Sequence, residues 1–504
     1  MTREKRLLLN SISSVLYQVT AIVCGFVVPR LILQTFGSEV NGLVNSIAQF
    51  LGVISFLELG VGSVVQSALY QPLAQGDWGQ VSRIMASAQR FFGRLALILL
   101  GYVAVLLVVY PRIAEQSFGL AYIAGLIAAI SINSFAQYYF GVANRLLLLA
   151  DQHGYVSYSA QTAALLVNTM ACILLIRLNA TIHMVKLTSS LIFLIQPISI
   201  AWYVKRHYRI DRRIRYEGEP IRQKWNGVAQ HVAAVVLDGT DYIVLTVLGT
   251  LSDVSIYSVY HLVVNGVKQV LVSATNGVRA LLGELWARKE ADALHRTFAW
   301  TEWTIHTGTT LFFGIAGILI VPFVRVYTSG ITDADYIQPL FAALLVAANA
   351  GHCLRLPYNL MILAAGHYKQ TQSCHIVGAA LNVAISVATV KWFGLVGVAI
   401  GTLTAMLYQT VWMAAYGARN LVRQPLSGFF KQAAVDIGTV VCMYLATRFL
   451  VLDRISYLAW VVLAVKTSLI SAAISVAINL IFYRERVKTL YSRGRRRLKG
   501  GERI

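Results

Sequence analysis

Fourteen windows of about 20 predominantly apolar residues recur along this 504-residue chain, and they leave few folded states open to it. A helical stretch of that length matches the roughly 30 Å hydrocarbon thickness of a bilayer. Inside hydrocarbon every backbone N–H and C=O needs a partner within the chain, so such stretches read as transmembrane helices. Composition agrees. Hydrophobic residues make up 57% of the chain, mean hydropathy is +0.63 and only 13% of residues are charged, against about 25% in a soluble domain. The expected fold class is an all-α polytopic membrane protein with about 14 transmembrane helices.

A net charge of +21 would suggest nucleic acid in a soluble protein. Here the Lys and Arg residues lie between apolar spans, where they set orientation, so no nucleic-acid partner is expected. With the N-terminus placed in the cytoplasm, 32 of the 43 Lys and Arg residues fall in inner segments, 7 in outer loops and 4 within spans. That bias predicts both termini in the cytoplasm. The opening TREKR and the apolar run from Leu7 to Val28 imitate a signal peptide, but the run exceeds the usual ~7–15 residues and no small-x-small cleavage site follows. It is expected to stay as the first membrane helix. Cys24, Cys172, Cys353, Cys374 and Cys442 lie within apolar spans without CxxC or Cys/His spacing, so neither disulfides nor a metal site is expected.

The chain reads as a duplication. RLLLLADQH, from Arg145 to His153, matches NLMILAAGH, from Asn359 to His367, and the later pairs Asn168/Asn382 and Arg177/Lys391 keep the same offset. The stretch from Gly42 to Asp77 recurs likewise, with Glu39 answering to Asp253. Residues 1–204 are expected to form an N-terminal six-helix bundle, 205–224 a basic cytoplasmic linker and 225–418 a C-terminal six-helix bundle. Residues 419–483 supply helices 13 and 14, outside the duplication, and 484–504 a basic cytoplasmic tail. Six helices per repeat is an even number, so both bundles share one orientation, related by an axis along the membrane normal.

Ionisable residues within membrane spans are costly and tend to mark binding sites or pathways. Within the repeats they are Arg30, Glu58, Asp238, Asp241, Lys268 and Arg355. His261, Asn265, Lys268 and Thr275 share one helical face, and His231, Asp238 and Tyr242 share another, as two walls of a hydrated cavity would. The other reading is structural: three cations and three carboxylates pairing with one another, with Arg30 snorkelling to the surface. Asp436, near a helix end, reads as structural. No P-loop, HExxH or GxSxG pattern occurs in a plausible setting and the outer loops are short, so neither an enzyme nor a cofactor is expected.

Three runs carry a family resemblance: FLELGVGSVVQSALYQPLAQGD, DGTDYIVLTVLGTLSDVSIYSVY from Asp238 to Tyr260, and RLPYNLMILAAGHYKQT from Arg355 to Thr371. With the helix count and duplication they resemble the Wzx-type polysaccharide flippases of the multidrug, oligosaccharidyl-lipid and polysaccharide exporter superfamily. The resemblance implies two six-helix bundles around a central cavity, helices 13 and 14 packed outside, and alternating access in a bacterial cytoplasmic membrane. It implies an undecaprenyl-pyrophosphate-linked oligosaccharide as cargo, membrane lipids as surroundings, and a polysaccharide polymerase and glycosyltransferases as working partners. Arg355, Lys268 and Arg30 are then the candidates to bind pyrophosphate. Glu58, Asp238 and Asp241 are candidates for ion coupling or charge pairing, with His231, Tyr242, His261 and Asn265 as polar cavity lining. The alternatives are a drug/cation antiporter of the same superfamily, which the extra helix pair and the cations argue against, and a non-transporting scaffold for glycosyltransferases, which leaves the polar stripes unexplained.

Overall fold

A computed structural model describes residues 3–114, 118–211, 214, 228–275, 278–489 and 492, and among them it contains helices and no strand. In order these are α1 (Arg3–Gly52), α2 (Phe56–Gln75), α3 (Trp78–Ala114), α4 (Leu120–Ala136), α5 (Val142–Ala150), α6 (Gly154–Arg177), α7 (Ile182–Phe193), α8 (Ile195–His207) and α9 (Val228–Leu248). They continue as α10 (Leu251–Ala274), α11 (Val278–Ala287), α12 (Ala291–Tyr327), α13 (Pro339–Leu354), α14 (Leu356–Ala364), α15 (Tyr368–Asn420), α16 (Ser427–Thr447) and α17 (Tyr457–Phe482). A five-residue π-helical turn, Gln137–Gly141, joins α4 to α5.

The helices show the polarity pattern of a membrane protein, inverted from that of a soluble one. On α17 the small polar residues Thr467, Ser471, Ser475 and Asn479 recur every fourth position and are buried, while Leu458, Val465, Leu469 and Ile481 are exposed. Small residues inside and apolar residues outside suit a helix that packs on protein through one face and meets lipid on the other. Ten described stretches are long and apolar enough to cross a bilayer, so the chain is a multi-pass membrane protein.

Two of those stretches are too long for one crossing, and each contains a glycine that breaks the helix. In α15 the break is Gly394, at φ +51°. Around it Asn382 donates to Thr402 Oγ1 at 2.9 Å and Thr389 to the Gly397 carbonyl at 2.9 Å, so the two arms fold back on each other as a hairpin. Trp392 and Phe393 stand exposed at its tip, as aromatic residues do at a membrane interface. In α1 the break is Gly37, at φ +83°. The arm that follows is capped by Asp333, which accepts from Ser38 N at 2.7 Å and Ser38 Oγ at 2.6 Å. With each of these two counted as a pair, and with α9 and α10, the helical segments fall at the fourteen expected positions. The stretch from Gly42 to Asp77 is itself interrupted by a 3₁₀ turn at Val53–Ser55.

Element lengths repeat with the sequence. The helices α3 and α12 are each 37 residues long, and α5 and α14 each nine, beginning at Val142 and Leu356. The chain divides into two compact units, Met1–Ser258 with Gly330–Ala334, and Val259–Ser329 with Asp335–Ile504. In the first, α1 packs along α6, and Asn41 donates to Ser255 Oγ at 2.7 Å, a contact between two residues separated by 214 positions. In the second, α12 anchors α16 and α17: Trp303 Nε1 donates to Asn479 Oδ1 at 2.8 Å, and His306 lies against Asp436.

Candidate functional site

The strongest cluster of buried cations lies in the second unit, where α13 gives way to α14. Pro357 has no N–H to bond the Cys353 carbonyl, so the helix is interrupted at Arg355, which caps the end of one helix and the start of the next. Arg355 is 7% exposed and Lys268, on α10, 8%. The guanidinium Nη2 donates to His352 Nδ1 at 3.0 Å, which leaves His352 to carry its own proton on Nε2. Lys268 and Arg355 both act electrostatically on His352 and Cys353, so the two predicted cations occupy one neighbourhood. Burying like charges together is unfavourable unless an anion joins them.

Beside this cluster runs a largely apolar cavity of about 1030 Å³. Residues of α12, α13, α15 and α16 line it, among them Phe313, Val346, Leu407 and Tyr444. Its wall includes Ala350, Gly351 and Leu354 on α13, ending one residue before Arg355. The charged residues on its wall are Asp436 and Arg448, both from α16 and its C-terminal end.

The remaining sequence candidates separate. His261 and Asn265 precede Lys268 on α10 in the second unit and are half-buried. Arg30 is half-buried on α1 in the first unit, and the Gln34 amide, turned to satisfy both groups, accepts from its Nε and Nη2 at 3.2 Å. Asp241 is buried in the first unit and accepts from Tyr257 Oη at 2.8 Å, with Tyr242 edge-on to Tyr257 at 4.7 Å. The side chains of Glu58, His231 and Asp238 lie outside the described residues, as does most of the 205–224 linker. Sequence reasoning missed His352, one turn before Arg355, and the joining of His306 to Asp436. The spacing of His352 to Arg355 was visible; the pairing across α12 and α16 was not.

No family profile and no curated protein matches the sequence. Solved structures do. A lipid II flippase MurJ in an inward closed conformation superposes with a TM-score of 0.71 at 13% identity, covering 95% of this chain and 100% of that one. The chain shares its fold with this protein and with solved transporters of the MOP superfamily. An inward-facing multidrug resistance MATE family transporter of that superfamily gives 0.63 at 14% identity, over 79% of this chain and 94% of that one. A MOP superfamily transporter from Pyrococcus furiosus, described as having a binding pocket of reverse polarity, gives 0.58 at 13% identity, over 82% and 95%. At such identities the likeness speaks for the fold alone.

Proposed function

We propose that this chain is a flippase that carries an undecaprenyl-pyrophosphate-linked oligosaccharide from the cytoplasmic to the outer leaflet of a bacterial cytoplasmic membrane, by alternating access, for export of a cell-surface polysaccharide. The observation that carries the reading is the order of surfaces along α13. Apolar residues from Pro339 to Leu354 line a cavity of about 1030 Å³, and His352 and Arg355 follow at its end with Lys268 nearby. That order suits an amphiphile with an anionic head and a long hydrocarbon tail. A pyrophosphate brings about two charges into a region where each bare charge is costly, and buried cations replace the lost solvation. A cation antiporter has no use for such a cluster.

The basic segments favour both termini in the cytoplasm. Arg30 is a further anion-binding candidate in its own unit. Glu58, Asp238 and Asp241 are candidates to couple transport to an ion gradient or to the membrane potential, which supplies about 2.3 kcal/mol per charge per 100 mV. Glycosyltransferases and a polymerase are the partners such a cargo requires.

The test is flipping of a labelled lipid-linked oligosaccharide in proteoliposomes. Arg355→Ala and Lys268→Ala are each expected to slow it about tenfold or more, since each removes a charge-assisted contact, while membrane insertion stays intact. Arg355→Lys should recover part of the activity, because an ammonium cannot grip phosphate oxygens as a planar fork does. Near-normal flipping in both alanine variants overturns the assignment.

A further inference from the structure

The apolar cavity of the second unit is open to the bilayer along its side and carries an unspent cation at one end. Leu407 and Val411 on α15 and Ile437 and Tyr444 on α16 line it and are exposed, so it is a groove between those two helices, backed by α12 and α13. Its wall runs from Phe429 to Leu450 along α16 and the turn after it, and from Leu354 back to Pro339 along α13. One end therefore lies where α12 and α16 finish and α13 begins. Arg448, the residue that caps α16, stands in the wall at that end.

The two charged residues of the wall are placed differently. Asp436 accepts from Gln432 Nε2 at 3.2 Å through Oδ1 and meets His306 Nδ1 at 2.7 Å through Oδ2. His306 and Gln432 are 0% and 5% exposed and do not line the groove, so both carboxylate oxygens are held from behind. Arg448 is the opposite case. Its guanidinium makes no hydrogen bond or ion pair among the described residues, and what it meets is the ring of Phe449, with Cζ 4.6 Å from the centroid. Asp453, in the turn that follows, does not pair with it. A cation at a helix C-terminus can bond the last carbonyls; this one leaves its N–H donors unspent.

Length decides what fits between them. Arg448 follows Asp436 on α16 by about 18 Å, at 1.5 Å per residue. Half of the hydrocarbon core is about 15 Å, so this part of the groove has the depth of one leaflet. A groove open to hydrocarbon fills with it, since an empty wall forfeits its dispersion contacts. Lipid chains are as apolar as the side chains they touch, so burial of a chain selects no particular lipid. Selection falls to the head. A guanidinium with unspent donors favours a phosphate whose negative charge no amine on the same head cancels.

We infer that the Arg448 end of the groove binds an anionic phospholipid, its phosphate on Arg448 and an acyl chain reaching to the level of Asp436, and that this lipid holds the groove until a lipid-linked cargo displaces it. The lipid site rests on the groove and its one unspent cation. Its displacement by cargo, and the placing of the lipid in the outer leaflet, rest on the proposed reading of the cavity.

The test uses the full-length protein in nanodiscs of equal parts phosphatidylglycerol and phosphatidylcholine, released into a mass spectrometer with the lipids it retains. About one retained lipid per protein is expected, with phosphatidylglycerol preferred about tenfold, the worth of one charge-assisted contact. Arg448→Gln should abolish that preference and Arg454→Gln should leave it. Ala347 is exposed in the groove wall, so Ala347→Trp should expel the lipid; should that variant fail to fold, Ala343→Leu, one turn back on the same wall, replaces it. The two lipids retained alike, an equal loss of preference in Arg454→Gln, or a lipid kept in the filled groove overturns the site. In a second arm undecaprenyl phosphate is added. One phosphatidylglycerol lost for each undecaprenyl phosphate bound supports displacement. Undecaprenyl phosphate that binds beside the phospholipid, or not at all, leaves the site standing and overturns the reading of the cavity as the place of a cargo tail.

Discussion

Two turns related by the internal duplication, one ending at His153 and the other at His367, share a backbone and differ in chemistry. In both, the helix stops in the same way. His153 N bonds the Leu148 carbonyl at 2.8 Å and Gln152 N the Leu149 carbonyl at 3.3 Å, just as His367 N bonds Ile362 at 3.1 Å and Gly366 N bonds Leu363 at 3.3 Å. The residue before each histidine is left-handed, Gln152 at φ +59° and Gly366 at φ +75°. Glycine occupies that conformation freely, whereas a residue with a Cβ is strained there by about 1–2 kcal/mol.

Each unit satisfies the turn differently. In the second, His367 Nδ1 meets the Tyr416 hydroxyl, at 2.8 Å. In the first, Asp151 Oδ2 accepts from Tyr208 Oη at 2.7 Å and stands 2.9 Å from His153 Nδ1, while Asn10 donates to the Gln152 carbonyl at 2.9 Å and accepts from Tyr155 N at 2.7 Å. Burial pushes the Asp151 carboxyl up, but the hydrogen bonds from His153 and Tyr208 and the charges of His153 and Arg6 outweigh it and hold the group below its ordinary value. The same pair of burial and a carboxylate partner pushes the Tyr208 hydroxyl up. A strained backbone has been kept in one copy by a polar clamp that the other, with glycine, does not need.

Deleting the clamp is the harshest way to test that contrast. Asp151→Ala leaves Tyr208 and His153 without their shared acceptor and is expected to destabilise the protein by about 2–3 kcal/mol, the range for hydrogen bonds to a charged group. Removal of the Tyr416 hydroxyl with Tyr416→Phe should cost about 1 kcal/mol, and equal losses measured by thermal unfolding in detergent would erase the difference between the turns.

Acid should expose the same asymmetry more gently. Because the folded Asp151 carboxyl titrates below its unfolded value, its stabilisation is complete above the ordinary carboxylate range and is lost as pH falls through the lowered folded value. The gap in melting temperature between wild type and Asp151→Asn is therefore expected to close in acid and stay constant from neutral pH upward. A gap unchanged in acid would show that the carboxylate's charge plays no part.

The smallest effects come from exchanging the left-handed residues. Gly366→Gln should destabilise by about 1–2 kcal/mol, with no Asn10-like clamp to offset it, whereas Gln152→Gly should change stability by under about 1 kcal/mol, as relief of strain opposes the added freedom of the unfolded chain. Chemical denaturation of both variants checks the order, and a larger effect at position 152 would reverse the argument.

Much of this architecture was legible in the chain itself, because hydrocarbon admits so few backbone arrangements. Apolar windows, basic loops and the repeat from RLLLLADQH to NLMILAAGH marked the helices, whereas the break that Pro357 imposes at Arg355 went unread. The site was legible only in part. Lys268 and Arg355 stood out as isolated cations, but nothing in the spacing of residues on different helices reveals the rotation that brings them together. Asp436 read as a structural residue near a helix end; its partner His306 sits 130 positions away, and both gained meaning only when α12 packed on α16. Gln152 gave no signal at all, since a glutamine in a left-handed turn looks like any other loop residue.

The hydrogen bond between Asn41 and Ser255 joins two positions that are each other's counterpart in the duplication. Because the two counterparts are separate positions of one chain, a substitution at one leaves the other unchanged. The two copies can therefore divide the roles in this contact, an amide donating from one and a hydroxyl accepting on the other, a division that two identical residues paired with each other could not make.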